Sequence, residues 1–166
     1  DLDNNGDNPT STLANAEAQL LTLNEAFLDY KIQFTALFQI HNDSQYQSIG
    51  SADWSAGVFK ALYAEDPTTY HNLYVMDTDA NWSILGVSTF PWDSEAITSY
   101  GGTIIDKDWF GGPRTFNGAV NIPQHTITHE LGHALGLWHT HHGVDEVTFV
   151  GIADTIYQSM NDSTPV

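Results

Sequence analysis

The sequence has no cysteine among its 166 residues, so the chain can form neither a disulfide nor a thiolate metal site. Basic residues are also scarce: 4 Lys plus Arg stand against 21 Asp plus Glu, which gives a formal net charge of -17. A surface this acidic repels phosphate groups, which argues against nucleic acid and anionic membranes as partners. Long apolar runs are missing as well, and none approaches the roughly 20 residues that cross a bilayer.

The residues that are present fit one domain with a sizeable core. Hydrophobic residues make up 41% and include 8 Phe, 7 Tyr and 5 Trp, an aromatic content that is not typical of a disordered chain. The start at Asp1 is expected of a processed or trimmed chain, and no signal-peptide pattern is present. The polar composition of residues 1–12 predicts a tail without regular structure. Their opening D-x-D-x-N-G pattern matches a calcium loop, but Thr12 stands where the last ligand is expected, which favours a tail of Asx turns.

Hydrophobic periodicity divides residues 13–166 into helices and strands. It predicts an α/β domain, a sandwich with one sheet and helices packed on it. Ser11 or Thr12 is the expected cap of the first helix. In chain order the predicted elements are a helix over 13–28, a strand over 31–41, a helix over 53–65, strands over 72–76, 82–90 and 103–105, and a helix over 122–135.

The last predicted helix contains an H-E-x-x-H pattern, which points to a catalytic metal site. Residues four apart lie one turn above each other on a helix, so His129 and His133 point the same way and can bind one zinc ion. Glu130 then lies on the open side of the metal. There it can act as general base on a zinc-activated water that attacks a carbonyl group.

The pattern continues to Gly136 and His139, which adds a third candidate ligand. A sharp turn is needed to bring His139 to the same metal, and Gly136 permits it because glycine adopts left-handed backbone geometry without a steric penalty. Three histidines leave one coordination position open, which is typical of catalytic rather than structural zinc. His141 and His142 are alternative third ligands, but their spacing lacks the glycine turn.

With its full H-E-L-G-H-A-L-G-L-W-H motif the sequence resembles the metzincin zinc endopeptidases, and within them it is most similar to the pappalysin family. The segments NLYVMD at 72–77, ILGVSTFP at 84–91 and GGTIIDKDWFG at 101–111 are similar to successive parts of that family. The resemblance implies a metzincin-like α+β fold with one twisted mixed sheet, and an enzyme that cleaves protein or peptide substrates. It also implies that the edge strand of the sheet binds substrate as an added strand, through Ile84, Leu85, Gly86 and Val87.

The resemblance also implies features that follow the motif. Metzincins have a methionine turn below the zinc, for which Met160 is the candidate. They also have a closing helix, for which the six residues after Met160 leave no room. We therefore expect the subdomain after residue 139 to be short or truncated. Relatives bind calcium near the cleft, so calcium is expected as a second metal ion, held in the matching loop by Asp154 and Thr155, with Asp145 and Glu146 nearby.

Together these features predict a secreted, monomeric zinc endopeptidase whose catalytic domain spans residues 13–166. One alternative is a calcium-stabilised extracellular binding module with a vestigial zinc site. Intact Glu130 argues against it, because a structural site has no use for a carboxylate that does not bind the metal. A non-proteolytic zinc hydrolase is the other alternative, and the extended motif argues against that one.

Overall fold

The computed structural model describes residues 12–41, 43–46, 48–78, 82, 84–111, 114–116, 119–122 and 125–139. Of these, the residues up to Gly136 form one compact unit that holds every element described below. A second unit begins at Leu137, and residues 137–139 are its described part. None of the described helices is both long enough and apolar enough to span a membrane.

The first helix, α1, spans Leu13–Phe27, which confirms the prediction from periodicity. It begins after Thr12, whose side-chain oxygen accepts a hydrogen bond of 3.2 Å from the backbone N–H of Asn15 and so caps the helix. Buried Gln19 ties this helix to a distant loop, because its side-chain oxygen accepts a bond of 3.1 Å from the N–H of Gly111.

The main sheet has four strands, which are β1 (Ser48–Ile49), β2 (Leu73–Thr78), β3 (Gly86–Ser88) and β4 (Thr103–Asp106). Their order is β1-β2-β4-β3. The β1–β2 and β2–β4 pairs are parallel, and β3 runs antiparallel to β4 at one edge. The predicted mixed sheet is therefore confirmed.

Three further helices are α2 (Ser51–Ala56), α3 (Val58–Tyr63) and α4 (Thr126–Ala134). Strand β4 is buried along its whole length, and its neighbouring side chains Ile104 and Ile105 belong to two separate hydrophobic clusters. Each face of the sheet therefore has its own core. One contains Ile105 with Leu23, Phe27, Ile127 and Leu131, and the other contains Ile104 with Ile49 and Phe59.

The strand predicted over 31–41 is wrong, since residues 32–41 belong to no helix or strand. The side chain of Asn24 on α1 binds both backbone groups of Phe34: it accepts from the Phe34 N–H at 2.7 Å and donates to the Phe34 carbonyl at 3.1 Å. A side-chain amide thus occupies the hydrogen-bonding groups that a neighbouring strand would use. The alternation of apolar and polar residues over 31–41 does not reveal that the Asn24 side chain would occupy these groups.

The helix predicted over 53–65 is instead two helices that meet at Gly57. Its φ of 64° is left-handed, which ends α2 before α3 begins. The ring of Tyr100 packs so closely on Gly57 that a β-carbon at this position would clash with it. Glycine is therefore required here both by the backbone angle and by the contact.

Two other predicted bounds are corrected. The strand expected over 82–90 is limited to β3, and the helix expected over 122–135 begins at Thr126. Residues Ala119–Ile122 form a strand, β6, that pairs antiparallel with β5 (Arg114–Phe116) in a small second sheet. Pairing with β5 gives the backbone of this segment partners outside the helix, so α4 starts later than its apolar pattern predicts.

Candidate metal centre

The histidine motif lies on α4, which packs on the sheet and thereby fixes the positions of its polar side chains. Ile127 and Leu131 are buried in the core cluster, while His129 and Glu130 lie between them in sequence. Beyond α4 the chain turns at Gly136, which has a φ of 90° and donates its N–H to the carbonyl of His133 at 2.8 Å. This is the left-handed geometry that the motif requires of its glycine.

Three histidines come together at this point. His129, His133 and His139 each offer a ring nitrogen, and these atoms all lie within 4.8 Å of one another. The Nε2 atoms of His129 and His133 are 3.2 Å apart. Two nitrogens bound at 2.0–2.1 Å to a tetrahedral zinc ion are about 3.3 Å apart, so both the spacing and the donor type fit zinc.

Glu130 is the buried acid of this site. It is 6% exposed, and burial raises the pKa of its carboxyl group to about 7. A carboxyl group with a pKa near 7 both accepts and releases a proton readily at neutral pH. Its position next to His129 in the sequence and its titration range suit the predicted role of general base.

Strand β3 lies directly against Glu130. A β-carbon built on Gly86 would be 2.7 Å from Cγ of Glu130 and 2.9 Å from the backbone oxygen of Ile104. Only a residue without a side chain leaves room for the carboxyl group between the strand and α4. Gly86 therefore determines how closely the sheet edge approaches the candidate base.

We expect Gly86→Ala to lower peptidase activity by about tenfold to a hundredfold, because the added methyl group displaces Glu130 from its position. Initial rates on a fluorogenic casein substrate measure this loss. Gly50→Ala is the matched control, since Gly50 has an extended φ of -111° that alanine also adopts. Equal activity of the two variants would contradict the steric role of Gly86.

The other predicted site residues divide into two groups. Gly86 and Val87 lie in edge strand β3, and Ile84 and Leu85 precede it, with the Leu85 carbonyl accepting a bond of 2.9 Å from the N–H of Asp106. The second group lies outside the described residues and comprises His141, His142, Asp145, Glu146, Asp154, Thr155, Met160 and the candidate calcium loop of the N-terminal tail.

Two aromatic residues beside the site were not identified from the sequence. The ring of Phe90 lies 5.0 Å from that of His133, and Trp92 stacks on Phe90. A signal was present in Phe90-Pro91-Trp92-Asp93, because proline at the second position is typical of a tight turn. The N–H of Asp93 donates to the Phe90 carbonyl at 3.0 Å, as such a turn requires.

A mixed sheet with packed helices and a cluster of three histidines fits a metzincin-like fold. Comparison with known families agrees with this class. The model of the Astacin peptidase family matches residues 119–164, which include the whole histidine motif.

Individual relatives include two pappalysins and an extracellular metalloprotease. Pappalysin-1 of Mus musculus is 33% identical over 90 residues, which is 53% of this chain and 5% of that protein. Pappalysin-1 of Homo sapiens is 33% identical over 88 residues, with the same shares. An extracellular metalloprotease of Neurospora crassa is 33% identical over 140 residues, which is 81% of this chain and 45% of that protein.

The chain thus spans less than half the length of each of these relatives. Within that span, the similarities confirm the resemblance to metzincin-like zinc peptidases related to the pappalysins. They also support the prediction of a metalloendopeptidase.

Proposed function

We propose that this chain is a zinc-dependent endopeptidase in which His129, His133 and His139 hold the metal and Glu130 is the general base. The observation that carries the proposal is the meeting of three histidine nitrogens within 4.8 Å, two of them on the helix that also carries the buried carboxyl group of Glu130. A structural zinc site is normally closed by four protein ligands, whereas three leave a position for a reacting molecule.

A zinc ion at this site would polarise the substrate carbonyl and lower the pKa of a water molecule toward about 7. Glu130 accepts the proton of the attacking water on its carboxylate and then passes it to the nitrogen of the leaving amine. Burial raises the pKa of this carboxyl group above its ordinary value, which favours the uptake of a proton. Burial also keeps bulk water away from the carboxyl group.

The substrate is proposed to bind along β3 as an added strand, in contact with Ile84, Leu85, Gly86 and Val87. Strand β3 is the edge of the main sheet, so the side facing away from β4 can pair with an extended peptide. The close contact of Gly86 with Glu130 supports this location, because it brings a peptide held at β3 near the base.

Secretion as a monomer and a calcium requirement belong to the same proposal. Secretion is supported by the similarity to an extracellular metalloprotease. Calcium bound at Asp154 and Thr155 would offset part of the self-repulsion of a chain with a net charge of -17. It would also hold together a segment that has no cysteine for a disulfide.

Metal removal tests these assignments separately. We expect EDTA to abolish casein cleavage by the wild-type protein and to lower its melting temperature at low ionic strength. Returned zinc should restore the cleavage, while returned calcium should restore mainly the melting temperature.

Two outcomes of that experiment would count against the proposal. A zinc-loaded protein that binds casein without cutting it would favour the binding-module alternative. Equal melting temperatures with and without calcium would contradict the calcium assignment while leaving the zinc site intact.

A further inference from the structure

A tight turn follows the edge strand and presents Trp92 beside the metal centre. The turn is closed twice, because the N–H of Asp93 donates to the Phe90 carbonyl at 3.0 Å and the carboxylate of Asp93 accepts from the Phe90 N–H at 2.7 Å. Trp92 occupies the third position of this turn and is 53% exposed. The backbone that carries the indole is therefore held in one conformation.

The ring itself is also held in place. The rings of Phe90 and Trp92 are 4.8 Å apart and nearly parallel, with an interplanar angle of 13°. Gly136 lies against the indole, since a β-carbon there would be 3.3 Å from Cζ3 of Trp92. We call Phe90 and Trp92 the aromatic platform.

The aromatic platform lies beside both parts of the proposed site. Its inner ring, Phe90, is 5.0 Å from the ring of His133. One residue separates it from the end of β3, and that residue, Thr89, remains tied to the sheet through an N–H bond of 3.0 Å to the carbonyl of Gly102. A peptide that extends β3 as a neighbouring strand would therefore pass beside Trp92.

We propose that the aromatic platform binds an aromatic side chain of the peptide substrate and makes Trp92 a specificity-determining residue. This proposal rests on the proposed function and deepens it. Because the indole is already fixed, it loses little conformational entropy on binding. Covering it with a second ring also removes apolar surface from water. Offset or edge-to-face contact between the two rings adds to this attraction.

The test separates binding from catalysis by using the full chain with Glu130→Ala, which cannot turn over substrate if the function is as proposed. A single phenylalanine is moved through a ten-residue peptide of alanine and serine, and the affinity of each peptide is measured by fluorescence anisotropy. We expect phenylalanine at one position, or at two adjacent ones, to tighten binding about tenfold. Trp92→Ala should abolish this preference, and Trp92→Phe should retain most of it.

Tyr70→Ala is the matched control, because Tyr70 is an aromatic residue of similar exposure that lies in the loop before β2. It should leave the phenylalanine preference unchanged. A preference that survives Trp92→Ala, or affinities that do not depend on the position of phenylalanine, would overturn the proposal. Failure of the proposed function itself would appear differently, as absence of casein cleavage by the zinc-loaded wild-type protein.

Discussion

Replacing Glu130 by alanine is expected to lower kcat for peptide hydrolysis by about a hundredfold to ten-thousandfold while zinc remains bound. The reason lies in the roles of the neighbouring groups. In the proposed site the histidines supply the nitrogen donors, whereas Glu130 supplies a buried carboxyl group, whose pKa burial raises to about 7, to take up and release the proton of the reaction. Glu130→Gln keeps the shape and should be equally inactive, which would separate proton transfer from packing.

The measurement is the initial rate on casein together with the zinc content of the same samples. Glu25→Ala serves as the matched control, because Glu25 is an exposed acid on α1 and should change neither quantity. If Glu130→Ala and Glu130→Gln cleave casein as fast as the wild-type protein, the assignment of the general base is wrong. Loss of zinc together with activity would instead assign Glu130 to holding the metal.

Replacing His133 by alanine is expected to weaken zinc binding by at least about a hundredfold and to abolish activity. Even residues that only orient a metal ligand change affinity by about tenfold to a hundredfold, so a direct ligand should matter more. His133 is the most buried of the three histidines, at 8% exposed, and its Nε2 lies 3.2 Å from that of His129, so alanine removes a nitrogen donor from the enclosed part of the proposed site.

Competition with a chromogenic zinc chelator measures this affinity. The matched control is His125→Ala, since His125 is an exposed histidine just before α4 whose side chain makes no capping bond. It should bind zinc like the wild-type protein. Similar affinities for the two alanine variants would exclude His133 as a ligand.

The sequence alone predicted the parts of this protein that depend on local pattern. The helix that begins after Thr12, the buried strand around Ile104 and the helix that carries His129 and His133 all follow from spacing and capping. The placement of the candidate ligands is of the same kind, because residues four apart on a helix must share a face.

Features that depend on contacts between distant residues were not predictable in this way. The capture of the Phe34 backbone by Asn24 removes a strand that alternation favours. The division of a helix at Gly57 depends on a left-handed angle and on a tyrosine far along the chain, Tyr100. One continuous helix and two short helices separated by a single residue have the same apolar periodicity, so the pattern could not distinguish them.

The same limit applies inside the candidate site. The motif identifies Glu130, but the room that its carboxyl group needs is provided by Gly86 on another element. Likewise, Trp92 is brought beside the candidate metal centre by its stack on Phe90 and its contact with Gly136. Such residues carry no spacing relationship to the motif, although the proline of the turn at Phe90 was a usable local signal.

In the proposed mechanism three histidines hold one zinc ion and leave Glu130 to act on the reacting molecule. Anomalous scattering from crystals of the zinc-loaded protein, recorded on both sides of the zinc edge, tests it most directly. We expect one strong peak bonded to ring nitrogens of His129, His133 and His139, with the Glu130 carboxylate outside the coordination sphere. A peak held by other residues, a peak bonded to Glu130, or no peak at these histidines would contradict it.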